Sequence, residues 1–233
     1  MDYSFLQCGE GALTVHLGDG IDPAINRRVT ALQGAIGSAG LRGITDLIPA
    51  YADLTVCYDC TVISAKALQR QLRRLLDSLS VAGQDRRRVF QLPVCYGGDY
   101  GPDLDFVCHH SGLSAQEVIE LHSAPDYLIY MLGFLPGFAY LGGLDPRLHT
   151  PRLDSPRTCI PAGSVGIGGA QTGVYPLASP GGWQLLGRTP VSVFDRQRQE
   201  PILYRAGDLV HFVPISPAEY EKIARAVAAG TYT

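Results

Sequence analysis

Apolar positions along the chain alternate between strand and helix periods, and the changes of period divide it into elements. Residues 3–17 hold two short β-like pieces around Gly9-Glu10-Gly11, which predicts a hairpin. Asp22 and Pro23 supply an N-cap and a proline at the first helical position, and Ile25, Val29, Leu32 and Ile36 then recur at helical spacing. Two strands follow at 44–48 and 54–58, the second alternating Leu54, Val56 and Tyr58 with Thr55 and Cys57. Ser64 caps a second helix whose Leu68, Leu72, Leu75, Leu76 and Leu79 form an apolar stripe opposite Arg70, Arg73 and Arg74. The order ββαββα predicts a small two-layer α/β domain over 1–82 with both helices on one face of the sheet.

The polar stretch between Val81 and Val89, AGQDRRR, has no period and predicts a linker. A second domain over 89–233 opens with a strand at 89–96, a short helical piece at 103–110 and a helix begun by a Ser114–Glu117 capping box. Residues 127–190 then carry twelve glycines and eight prolines, which rule out long helices. Apolar clusters recur between these turn residues, so the window predicts short buried strands in a β-rich barrel or sandwich. Further strands are predicted at 190–195, 202–204 and 208–215. A terminal helix then starts at Ser216-Pro217-Ala218-Glu219 and ends at Gly230. The fold class is α+β.

Composition narrows the function. With 46% hydrophobic residues in 233, the chain can bury a core without metals or disulfides. A net charge of -3 gives no basic field for nucleic acid, and no apolar run approaches the roughly 18 residues of a membrane span. The first residues lack a basic, then apolar, leader, so a cytoplasmic location is expected. Six scattered cysteines, Cys8, Cys57, Cys60, Cys95, Cys108 and Cys159, are expected to be free and buried.

Charge in the 127–190 window is lopsided: Arg147, Arg152, Arg157 and Arg188 face only Asp145 and Asp154, with no lysine. Arginine forks suit carboxylate or phosphate, and glycine lets main-chain N–H groups approach an anion. The window therefore predicts a cavity for a small anion; the structural alternative is arginines that cap carbonyls or lie along the surface. Ala162-Gly163-Ser164-Val165-Gly166 falls short of a nucleophile elbow, and neither lysine, Lys66 or Lys222, follows P-loop glycines. Cys57 and Cys60 lack a second pair, and His109, His110 and His122 lack a carboxylate at ligand spacing, so no metal is expected.

The run GFLPGFAYLGGLDPRL, then PR, then PR, then IPAGSVGIGGAQTGVYP, then SPGGWQLLGRTP, resembles the family that contains the B subunit of the prokaryotic ATP-dependent 5-oxoprolinase. That family also holds a sporulation-kinase inhibitor and the carboxyltransferase region of urea carboxylase. Weaker similarity extends to RGITDLIPAYADLTVCYD and AGDLVHFVPI. The resemblance implies a cyclophilin-like β-barrel as the second domain. It also implies ATP-dependent opening of 5-oxo-L-proline to L-glutamate, with ATP shared with the A and C subunits as partners. The matching positions are Arg157, Arg188 and Gln171 as catalytic candidates, and Arg152, Gly163, Ser164, Thr172 and Tyr175 as substrate-binding candidates. Phe134, Phe138 and Trp183 are candidate apolar walls. Inhibition of a sensor histidine kinase, or a carboxyltransferase role with biotin on a partner, are the alternatives.

Overall fold

A computed structural model describes residues 3–79 and 87–232, and the chain divides into two units, 1–86 and 87–233. Most of the expected linker lies outside the described residues. In the first unit the strands are β1 (Ser4–Cys8), β2 (Ala12–His16), β3 (Ile44–Pro49) and β4 (Asp53–Tyr58), and the helices are α1 (Pro23–Ala39) and α2 (Ala65–Asp77). All four strands pair antiparallel in the order β1-β2-β4-β3. Alternation makes this a two-layer unit. Leu13 and Val15 of β2 and Leu54, Val56 and Tyr58 of β4 point to one face, where Val29, Leu32 and Ile36 of α1 and Leu68, Leu72 and Leu76 of α2 cover them. Asp22 accepts from the Ala24 amide as the N-cap of α1, and Gly40 closes that helix in the left-handed region.

The second unit begins with β5 (Val89–Tyr96), α3 (Leu104–Ser111) and α4 (Ala115–Ser123), then β6 (Asp126–Leu132) and β7 (Ala139–Gly142). The glycine-rich window continues with β8 (Arg157–Ile160), β9 (Ser164–Gly168), β10 (Gln171–Val174), β11 (Ser179–Gly181) and β12 (Gln184–Arg188). After it come β13 (Leu209–Pro214) and α5 (Pro217–Ala228). Seven of these strands close a barrel in the order β10-β7-β6-β13-β5-β12-β9, while β8 and β11 form a separate ribbon. The barrel is filled by Leu92, Val94, Ile129, Leu141, Val165, Ile167, Val174, Leu186, Val210 and Phe212. Outside its wall, Phe138, Ile160, Tyr175, Trp183 and Leu185 make a second small core.

Glycine is required where backbones approach. A Cβ on Gly168 would meet the Trp183 indole nitrogen at 2.3 Å, and one on Gly101 would overlap the Leu186 carbonyl. The wall can thus carry an indole flat against it.

The strands expected at 190–195 and 202–204 do not form as such. An isolated bridge joins Phe194 to Ile202, and the Leu203 amide donates to the Val193 carbonyl at 3.0 Å. Pro190 and Pro201 have no N–H with which to extend a ladder. Arg198 instead donates to the Ser192 and Pro201 carbonyls and ties the loop. The cysteines are free as expected, but only Cys95 is buried. Cys8 sits on the edge strand β1, Cys60 follows β4, and Cys159 lies on the short ribbon, so sequence apolarity around them did not translate into cover.

Helix α5 starts from a complete capping box: Ser216 accepts from the Glu219 amide, and the Glu219 carboxylate accepts from the Ser216 amide at 2.8 Å. It buries no residue fully, so its first turn leans on that cap. Ser216→Ala is expected to cost about 1 kcal/mol locally, seen as roughly fivefold faster amide exchange through the first turn of α5.

Candidate functional site

The predicted site residues fall into two groups on the outer side of the barrel wall and a third inside it. Val165 and Ile167 fill the barrel, so alternation turns Ser164, Gly166 and Gly168 of β9 outward. By the same rule Thr172, paired with Ile167, faces in, while Gln171 and Gly173 face out.

The first outer group surrounds Trp183. Its indole is crossed by the Arg152 guanidinium 5.9 Å from the ring centroid and stands edge-on to Tyr175 and Phe138, at 5.9 and 5.6 Å. Arg157 comes from β8 and donates through Nη1 to the Trp183 carbonyl at 3.3 Å. Its Nη2 lies 2.6 Å from Asp103 Oδ1, with the Asp103 side chain only 12% exposed. The other carboxylate oxygen accepts from the Leu185 amide at 2.6 Å. Asp103 stands at the N-terminus of α3 without capping it, because its carboxylate has turned to Arg157 and β12. Arg157 is therefore charge-matched, whereas Arg152 is exposed and stands over an aromatic ring. The Tyr175 hydroxyl is pushed up to about 12, mainly by burial, with Arg152 and Arg157 opposing the shift.

The second outer group lies at the other end of β12. Arg188 pairs across the ladder with Ser164 of β9 on one side and Cys95 of β5 on the other. Gly163 forms the turn into β9 at φ 81°, and a Cβ there would sit 2.4 Å from the Thr189 carbonyl. The Tyr220 side chain of α5 lies beside Arg188, whose charge opposes the burial that raises the Tyr220 hydroxyl's pKa. Tyr175 links the two groups through its backbone: its amide donates to the Ser164 carbonyl at 2.9 Å, and its carbonyl accepts from Gly163 at 2.7 Å.

Thr172 is enclosed. Its hydroxyl donates to the Gly166 carbonyl at 3.0 Å and lies 2.7 Å from His122 Nε2. The hydroxyl proton is committed to Gly166, so Nε2 carries a hydrogen and donates to Thr172. Nδ1 is then an acceptor, 2.8 Å from the Tyr96 hydroxyl, which donates to it. The imidazole stacks on Phe212 at 4.8 Å and is wholly buried, which drives its pKa down to about 3.

Arg152, Arg157 and Tyr175 are thus brought together, as are Gly163, Ser164 and Arg188. Gln171 and Thr172 sit at the far end of β10, where Gln171 pairs with Gly168. Of the remaining arginine in the window, Arg147, both fork arms are spent on Asp145. A groove of about 310 Å³ lies elsewhere, lined by residues 132–137 and Ile202, and none of these arginines lines it. Phe134 at its edge is 64% exposed and takes φ 66°, a left-handed backbone uncommon for a non-glycine residue. Sequence reasoning missed Asp103 and His122 as organisers. The one available signal for Asp103 was a carboxylate after Pro102 at a helix start, where capping was the simpler assignment. No group of three or more potential metal ligands occurs among the described residues, and no helix among them is long and apolar enough to cross a membrane.

Residues 3–204 match the family described as carboxyltransferase domain, subdomain C and D. The chain is 42% identical over 228 residues to the 5-oxoprolinase B subunit of Bacillus subtilis, covering 94% of this chain and 95% of that protein. It is 46% identical over 207 residues to the 5-oxoprolinase B subunit of Escherichia coli O157:H7, covering 88% and 93% respectively. A crystal structure of TTHA0988 aligns with a TM-score of 0.78 and 40% identity over 88% of this chain, which spans 40% of that longer one.

Proposed function

The chain belongs to the carboxyltransferase subdomain C and D family that includes the 5-oxoprolinase B subunit, and from that premise we propose that it is a subunit of an ATP-dependent 5-oxoprolinase. The observation that carries this reading is identity of 42–46% with two such subunits over most of both partners' lengths. The reaction opens the lactam of 5-oxo-L-proline to L-glutamate. A lactam carbonyl is a poor acceptor for water, and phosphoryl transfer from ATP to its oxygen would activate it. Fixed positive charge lowers the cost of the negative charge that develops. ATP is shared with the A and C subunits, and any contact this chain makes with it is by some means other than a lysine-bearing phosphate loop.

On this reading Arg152, beside Trp183 and Tyr175, and Arg188, beside Ser164, are the cations with capacity left for an anion. Arg157, already matched by Asp103, holds β8 and β12 in place. The test is reconstitution: the purified chain is mixed with the A and C subunits of the same source, singly and together, and ATP hydrolysis is followed with and without 5-oxoproline. Hydrolysis that requires 5-oxoproline and appears only in the assembled mixture is expected. Assembly with a histidine-kinase dimerisation domain, together with no 5-oxoproline-dependent hydrolysis in any mixture, would overturn it.

A further inference from the structure

Two buried polar atoms on the outer wall lack any hydrogen-bond partner, and they belong to residues directly opposite each other. Ser164 is 0% exposed and its Oγ makes no hydrogen bond; neither does the buried Nε of Arg188. The two residues are register partners on the antiparallel strands β9 and β12, so their side chains leave the sheet on the same face. A buried hydroxyl or guanidinium N–H without a partner is costly, and such groups are rare unless something binds them. Here one cross-strand pair holds both.

The chemistry of the pair selects its ligand. Nε–H can only donate and the hydroxyl can donate, so the two together call for a group with two acceptor oxygens. Charge points the same way. Among the described residues no carboxylate lies within ion-pair distance of Arg188, and the Tyr220 hydroxyl beside it is held neutral, its pKa raised by burial. The acids of α5 near Tyr220 are occupied: Glu219 closes the capping box, and Glu221 accepts from Tyr100 at 3.3 Å. A half-buried guanidinium with no counter-charge attracts an anion. The helix that carries Tyr220, α5, has no fully buried residue, so it is lightly anchored.

We propose that Ser164 Oγ and Arg188 Nε form a notch that binds a carboxylate, with Tyr220 of α5 closing over it. Under the proposed function, on which this assignment of ligand rests, the carboxylate is that of 5-oxo-L-proline. The binding chemistry itself does not depend on that reading.

The probe is amide chemical shift in the purified full chain, titrated separately with 5-oxo-L-proline, acetate, inorganic phosphate and 2-pyrrolidinone, which is the lactam without the carboxylate. Saturable shifts around Ser164, Arg188 and Tyr220 are expected with 5-oxo-L-proline and acetate, and none with 2-pyrrolidinone. Arg188→Gln is expected to weaken binding roughly tenfold or more, and Ser164→Ala several-fold. Ser164→Ala should also leave the melting temperature of the free protein unchanged or higher, because it removes an unsatisfied hydroxyl; a purely structural serine would lower it.

Acetate binding without 5-oxoproline binding supports the notch and counts against the proposed substrate. No saturable shift with any carboxylate, a preference for phosphate, or equal affinities in wild type and both variants overturns the notch. So does full 5-oxoproline-dependent turnover by Arg188→Gln in the assembled complex, an outcome that leaves the proposed function standing.

Discussion

Asp103→Ala is expected to destabilise the second unit by about 3–5 kcal/mol, the range for breaking a buried ion pair by removing one partner. The magnitude follows from what the carboxylate does. One oxygen faces Arg157 Nη2 and the other accepts the Leu185 amide, both at 2.6 Å, so its loss strands a guanidinium and a main-chain N–H together. Side-chain exposures of 12% for Asp103 and 30% for Arg157 separate this pair from solvent-screened surface bridges, which contribute about 1 kcal/mol or less. Asp103→Asn should recover part of the loss, since it keeps one acceptor oxygen but sets an NH2 group against the donor that the other oxygen served. Urea unfolding at neutral pH measures both. A cost below about 1 kcal/mol for the alanine variant would mean that Arg157 finds another partner and that the strut between α3, β8 and β12 is dispensable. Against a typical total of 5–15 kcal/mol, the expected loss is a large share of what holds the unit folded.

Acidification is expected to unfold the barrel through His122. In the folded chain its pKa lies near 3, and in the unfolded chain it returns to 6.5. The unfolded state therefore binds a proton that the folded state refuses, so stability is complete above pH 6.5 and falls as pH drops toward 3. Between pH 7 and pH 5 the loss is about 2 kcal/mol, at about 1.4 kcal/mol for each pH unit below 6.5. Thermal melts from pH 7.5 to pH 4.5 on wild type and His122→Gln check this. The variant starts less stable, because Tyr96 and Thr172 lose imidazole geometry, but its stability should change much less over this range. Parallel pH dependence in the two proteins would show that His122 is not the titrating group.

How much of this was legible in the chain depends on the range of the interaction. Local rules gave ββαββα and the capping boxes at Ser114–Glu117 and Ser216–Glu219, because an N-cap and its third residue are settled within one turn. The window rich in glycine and proline announced short strands. Its ladder order was not legible, because β13 pairs with β5 across more than a hundred residues, parallel, and no local pattern encodes that. Arginine content marked the site region but not its partition. The chemistry of Arg157 is fixed by Asp103, fifty-four positions away, and that of Thr172 by His122, fifty positions away. Residue type could say that an arginine seeks an anion; only the fold says that one arginine has an internal carboxylate and another has none.

The place of β13 between β5 and β6 makes it the seam of the barrel. Until residues 209–214 leave the ribosome, β5 and β6 carry bare edges that no earlier strand in the ladder order can cover. Closure of the second unit is thus a late event in biosynthesis. A nascent or prematurely terminated chain exposes two sticky edges to its neighbours, while the first unit, whose sheet uses only strands made by residue 58, can fold well before.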